Sequence, residues 1–304
     1  MIQSSVLTGV LAEINKEKSL SGTSIIVTVF VDCVSQHGGS IWLGSLIRAL
    51  APLGINERLV RTSVFRLVND GWLSVRKIAR RSYYSFTASG KSQFEQVARR
   101  IYQAEQQEWD NVWTLLVLSS VPAEKKDELR KKLLWQGFGQ LGSDLFAHHR
   151  FDNQSLDKIL NETNVINNVV ILRAEAHEFH SGVALKALAQ EKWGIAELEE
   201  RYKRFFVVFR PVLDAIKKKI KLDPEVCFLL RTLLIHEYRI ILLKDHDLPI
   251  DLLPSDWPGL NARNLTINLY SRLSPMAEDF ITSELESAEG PLPKASCSFD
   301  ERFS

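Results

Sequence analysis

The most regular alternation of apolar and polar positions runs from Ser40 to Phe86, SIWLGSLIRALAPLGINERLVRTSVFRLVNDGWLSVRKIARRSYYSF. Ile41, Leu43, Leu46, Ile47 and Leu50 make one apolar stripe, and Val60, Val64, Leu67 and Val68 recur at i, i+4, i+7 and i+8. Each pattern predicts a helix with one face against a core. Pro52-Leu53-Gly54 separates the two, Ser40 is placed to cap the first, and Asn56 the second, with Glu57 in its first turn. After Asp70-Gly71 come two β-like runs, Trp72 to Ile78 and Ser82 to Phe86, joined by a basic tip at Ala79-Arg80-Arg81. Helix, tight turn, helix and charged hairpin is the order of a winged helix-turn-helix. Upstream, SIIVTVFVDCV from Ser24 to Val34 is apolar nearly all round, and its β-branched residues would suit a strand. It is read as a helix, because a helix-turn-helix needs a third helix to close its core.

Charge sharpens this picture. The 304-residue chain has a net charge of only +1, yet from Arg58 to Arg100 ten bases face two acids. A basic region of that density on a neutral chain predicts a face built for a polyanion. On the second helix Arg58, Thr62, Arg66 and Asn69 lie opposite the apolar stripe, with Arg61 and Phe65 on the flank. Such donors can reach base edges in a major groove. Arg80 and Arg81 at the hairpin tip are expected at phosphate or in the minor groove.

The length fits two or three domains, and 45% hydrophobic content is enough for real cores. Val112 to Leu118 is a short apolar run that predicts a buried strand. Val121-Pro122-Ala123-Glu124 opens a helix ending near Gly137, and Ser155 to Glu162 predicts another. Asp144 to His148 and Val169 to Ala174 are further strand candidates. Strands around two helices predict a ferredoxin-like α/β sandwich. Ala184–Ala189, Ile195–Ile220, Pro224–Leu243 and Asn261–Leu285 carry a helical period. The whole is thus expected to be an α+β multidomain protein. A winged helix-turn-helix with flanking helices would occupy residues 1–100, and a ferredoxin-like middle domain 101–180. A helical domain would fill 181–285, followed by a mobile tail over 286–304.

The segment GGSIWLGSLIRALAPLGINERLVRTSVFRLVNDGWL, followed by RRSYYSFTASG, resembles the head of the PaaX family. These are repressors of bacterial phenylacetic-acid degradation operons, with a winged helix related to the GntR type. The resemblance continues through Ala104-Glu105-Gln106, Trp109-Asp110 and Leu134-Trp135-Gln136-Gly137-Phe138-Gly139. It returns in Leu234-Ile235-His236-Glu237-Tyr238-Arg239, and from Leu248-Pro249 to Trp257-Pro258-Gly259, and so reaches to about Phe280. The GntR-type Val-Arg pair falls on Val60-Arg61 and the closing acid-glycine on Asp70-Gly71, which carries an expected DNA contact onto Arg61. The resemblance implies a middle domain similar to small CRISPR-associated nucleases, and phenylacetyl-coenzyme A as the releasing effector. A pocket for that ligand needs apolar walls and a few cations. The C-terminal helices offer Arg210, Arg231, His236, Tyr238, Arg239 and Lys244. The expected protein is a homodimeric repressor on a double-stranded operator, with two heads on two half-sites.

Signs of other chemistry are weak. Cys33, Cys227 and Cys297 have no metal-type spacing and are expected to be reduced thiols. Glu175, His177, Glu178 and His180 do not form HExxH, and His148-His149 would point to opposite faces of a strand. There is no G-x-S-x-G, P-loop or G-x-G-x-x-G, so neither an enzyme nor a bound cofactor is expected. The alternative is a metal-dependent nuclease-like protein working through the middle domain. No secretory leader is seen, and no apolar run approaches the roughly 18 residues that span a bilayer. A soluble, cytoplasmic protein without a membrane partner is expected.

Overall fold

The computed structural model describes residues 2–16, 19–102, 109–151, 153–176, 178–218 and 222–303. The fold mixes helix and sheet in two compact units. Met1–Ala104, Tyr202–Leu242 and Gly259–Ser304 form the first, and Glu105–Arg201 with Leu243–Pro258 the second.

The first unit opens with α1 (Ile2–Asn15) and α2 (Gly22–Asp32), the latter capped by the Ser21 side chain. The run that would also suit a strand is therefore helical. A short strand β1 (Ser40–Trp42) follows, then α3 (Leu43–Leu50) and α4 (Glu57–Asn69). Ser40, expected as a helix cap, instead pairs with Ser85, and α3 starts after Trp42. The reason is tertiary: β1 covers an edge that would otherwise expose unpaired backbone groups. That edge belongs to β3 (Arg81–Phe86), which also pairs with β2 (Leu73–Ile78), giving the antiparallel order β1-β3-β2. Gly71, at φ 74°, makes the left-handed turn out of α4. The hairpin closes between Ile78 and Arg81 through Ala79-Arg80, with Ala79 at φ 52°. Arg81 is thus a strand residue and not part of the tip. Next comes α5 (Ala88–Tyr102), whose Gly90 amide donates to Thr87 Oγ1 at 2.9 Å.

The second unit holds β4 (Val112–Val117), α6 (Ala123–Trp135), β5 (Gly139–Gly142), β6 (Leu145–His148), α7 (Asn153–Glu162) and β7 (Val170–Glu175). The strands make one antiparallel sheet in the order β5-β6-β4-β7. Leu116, Leu129, Leu133, Phe138, Phe146 and Leu160 fill its core, each at most 1% exposed. The β5 segment lacks apolar alternation and is not legible as a strand. Its Gly139 lies against Trp193, where a Cβ would come within 2.3 Å of the indole. Trp193 follows α8 (Glu178–Lys192).

Three long helices complete the chain: α9 (Ile195–Lys217), α10 (Pro224–Leu242) and α11 (Gly259–Glu284). No helix among the described residues is long and apolar enough to cross a membrane. In the first unit α2 packs against both α4 and α10. A helix that is apolar on every side must be covered on every side. This is why the head and the C-terminal helices share one unit, where separate domains over 1–100 and 181–285 were expected from the sequence. The expected mobile tail is likewise folded. Strands β8 (Glu286–Ser287) and β9 (Gly290–Pro291) pair, and Leu292 is 2% exposed. Farther on, the Phe303 amide donates to Tyr102 O at 2.7 Å. Apolar density alone missed this, because a few residues seated in specific slots hold the segment.

Candidate nucleic-acid interface

Helix α4 is fixed by its two ends and one face. Asn56 Oδ1 accepts from the Leu59 amide at 2.9 Å, and Val60, Ser63, Val64 and Leu67 are buried. Arg58, Arg61, Thr62, Arg66 and Asn69 are all exposed. Arg61 donates through Nε to Glu57 Oε1 at 2.8 Å, and Thr62 Oγ1 donates to Arg58 O at 2.9 Å. The Arg61–Glu57 pair lies more than half in solvent, so it holds Arg61 only weakly. Phe65, expected on the flank, is 66% exposed.

The hairpin beside α4 is basic in a different way. Arg76, Lys77 and Arg80 are exposed, and none of β2 beyond Leu73 is buried. Arg81, by contrast, lies 4.1 Å over the Trp42 ring and donates from Nη1 to Glu286 Oε2 at 2.7 Å. Arg48 lies over the same ring at 5.1 Å, with Glu286 Oε1 at 3.9 Å. The sequence signal for Arg76 and Lys77 was their share of the charge surplus. Nothing local marks Glu286 as a partner of Arg81.

The residues expected around an effector divide between exposed and buried positions. Arg210 is exposed on α9, and Lys244 belongs to the second unit, 3.8 Å from Glu197 Oε1. The four on α10 are all buried in the core. Arg231 is fully buried, with Nε 3.0 Å from Asp32 Oδ2 and Nη1 2.8 Å from Glu278 Oε1. Arg239 Nη2 donates to Ser24 Oγ at 2.7 Å, and burial lowers its guanidinium to about 10. Tyr238 packs on Phe205 with ring centroids 5.8 Å apart. His236 Nδ1 sits 3.1 Å from Thr28 Oγ1. The physical reason is that α10 is buried nearly all round, so its polar members face partners on neighbouring helices.

Asp32 is the hub. Its Oδ1 accepts from Tyr102 and Tyr270 hydroxyls at 2.7 and 2.9 Å and from Arg302 Nη1 at 3.0 Å. Burial alone would raise this carboxyl, yet Arg231, Arg302 and the two hydroxyls bring it below its ordinary range. Glu278 Oε2 also meets His37 Nε2 at 2.7 Å. The network therefore ties α2, α5, α10, α11 and the C-terminal segment together. Its one legible trace was the lone acid of an apolar helix, Asp32.

Burial, helped by Arg239, lowers His236 to about 3. An unfolded histidine titrates near 6.5, so between these values the unfolded chain binds the proton first. Stability is then complete above about pH 6.5 and falls as the pH drops toward 3. A His236→Gln variant is expected to lose less thermal midpoint between pH 6.5 and 4 than the parent, measured by circular dichroism melts.

In the second unit His148 and His149 stack at 4.9 Å, because His149 lies past the end of β6 and escapes strand alternation. Burial lowers His149 to about 4, despite Asp247 nearby. Glu175 ends β7, Glu178 and His180 fall in the first turn of α8, and His177 lies outside the described residues. Among the described residues no group of three or more His, Cys, Asp or Glu could hold a metal ion.

Comparison with known proteins defines the class. Residues 21–90 match the family model of PaaX-like proteins, 106–185 that of the PaaX protein central Cas2-like domain, and 193–283 that of the PaaX-like protein C-terminal domain. A curated relative, the transcriptional repressor PaaX of Escherichia coli (strain K12), is 39% identical over 285 residues, covering 93% of this chain and 90% of the relative. The chain therefore belongs to the PaaX family. That relative is, by its name, a transcriptional repressor. A solved structure of an uncharacterized Mycobacterium tuberculosis protein aligns at 21% identity with a TM-score of 0.48, covering 77% of this chain and 88% of that one.

Proposed function

We propose that this chain is a DNA-binding transcriptional repressor whose reading head is a winged helix-turn-helix. In this reading α2, α3 and α4 form its three helices, and β1 with the β2–β3 hairpin forms its wing. The carrying observation is α4 itself, pinned by Val60, Val64 and Leu67 and presenting Arg58, Arg61, Thr62, Arg66 and Asn69 outward beside a basic hairpin. Donors so placed on a rigid helix read base edges, while hairpin cations meet phosphate. The identity to the Escherichia coli repressor supports the same reading.

The strand order β5-β6-β4-β7 with α6 and α7 supports a ferredoxin-like middle domain. The protein acts in the cytoplasm as a homodimer, its two heads on the half-sites of a near-palindromic double-stranded operator. Its targets are genes of phenylacetic-acid catabolism, and phenylacetyl-coenzyme A is the effector that releases it; family membership supports both. The effector must couple to operator affinity by about 1–3 kcal/mol or more. Its anionic end is met by cations other than Arg231 and Arg239, which are engaged inside the core.

The test is a gel-shift titration at fixed salt on the promoter of the nearest catabolic operon, with and without phenylacetyl-coenzyme A. Binding abolished by the thioester but not by free phenylacetate is expected. Absence of sequence-specific binding would reject the reading. Side chains separate by role. Arg58→Ala is expected to cost about 1–3 kcal/mol of binding and to relax discrimination at one base position. Arg80→Ala should weaken all sequences alike and reduce the salt slope by about 1. Arg81→Ala should change the slope less, because Glu286 already neutralises that charge. Equal slopes for the Arg80 and Arg81 variants would contradict the assignment.

A further inference from the structure

Phe65 occupies an unusual place on α4. At about 100° per residue it lies within about 20° of Arg58 and about 40° of Asn69 around the helix axis. It is therefore in the middle of the polar face. It is 66% exposed. The ring has no role in holding α4 to its core, which Val60, Val64 and Leu67 already do.

Its surroundings decide what covers it. Arg58, Arg61 and Arg66 share the exposed side of the helix. An apolar protein partner laid over Phe65 would have to desolvate these cations without compensation. A duplex accepts both kinds of group, because phosphates and base edges take the arginines. The apolar feature a major groove offers to a ring is the C5-methyl group of thymine. Thr62 and Asn69 stand one turn to either side of Phe65, so the ring would enter the groove between two hydrogen-bonding side chains.

Resting on the reading of α4 as the groove-reading helix, we propose that Phe65 is a specificity-determining residue that packs on a thymine methyl in each operator half-site. Removing a single methyl should then matter only while the ring is present.

The experiment uses the full-length protein and duplexes it selects from a random pool at fixed salt. Each thymine of the selected site is replaced in turn by deoxyuridine, which removes only the methyl. For the wild type, one position per half-site should weaken binding about fourfold, the worth of one buried methyl-sized group. For Phe65→Ala that substitution should have no effect, while the other positions keep theirs. An unaltered thermal midpoint in Phe65→Ala establishes that the fold is intact. Equal sensitivity to deoxyuridine in both proteins would overturn the role of Phe65 and leave the DNA-reading helix standing. Failure to select any sequence would overturn both. Loss of self-association in Phe65→Ala with unchanged DNA binding would assign the ring to a second copy of the chain, and so also reject the proposal.

Discussion

Asp32→Ala is expected to destabilise the first unit by about 3–5 kcal/mol, the cost of removing one partner from a buried ion pair. The carboxylate is 1% exposed and faces both Arg231 and Arg302, whose side chains are 0% and 5% exposed. Without it the guanidinium groups of Arg231 and Arg302 lose their shared carboxylate, and Glu278 remains beside Arg231. Tyr102 and Tyr270 also lose the acceptor of their hydroxyls. Asp32→Asn separates charge from shape, since it keeps an acceptor for the tyrosines and removes the charge. It should fall between the parent and the alanine variant in urea midpoint. The pH dependence follows from the same geometry. The folded carboxyl titrates below its ordinary value, near 3.9 in an unfolded chain, so its contribution is complete above about pH 4 and fades as the pH drops through the lowered value. The acid limb of the stability curve should be flatter in Asp32→Asn. An Asp32→Ala midpoint within experimental error of the parent would refute the hub.

How much of this was visible in the chain depends on the range over which each signal acts. Helix α4 and the β2–β3 hairpin were legible because both are written in local period, with Asn56 as cap and Gly71 as stop. Helix α2 was ambiguous by propensity and was resolved only by what a three-helix core requires. Strand β1 was missed because three residues carry no period, and its existence depends on the β3 edge more than 40 positions away. The burial of Arg231 was not legible for a related reason. Charged residues on a helix are ordinarily exposed, and nothing near Arg231 announces that Asp32 and Glu278 will enclose it. The reading of α4 placed the arginines but put Phe65 at the margin, where helical angles alone place it near the centre.

The folded C-terminal segment leads to the second large effect. Ending the chain at Leu285 is expected to destabilise the first unit by about 3–5 kcal/mol, because it removes Arg302 from Asp32 and leaves a buried carboxylate with one fewer cation. The same cut removes Phe299 and Phe303 from beside Tyr270, where ring centroids lie 6.1 and 5.2 Å away. Arg302→Gln should reproduce most of the loss, which places the effect in the buried pair and not in chain length. Glu286 tests the other end of the segment. Its pairs with Arg81 and Arg48 are partly solvated, so Glu286→Gln should hardly move the melting midpoint. It should instead free Arg81 for phosphate and steepen the salt dependence of DNA binding by about one unit of slope. A steeper slope with unchanged stability would make the segment two devices in one, a buried clamp at Arg302 and a brake on the hairpin at Glu286. Lost stability with an unchanged slope would reduce Glu286 to a packing contact and confine the coupling between tail and head to Asp32.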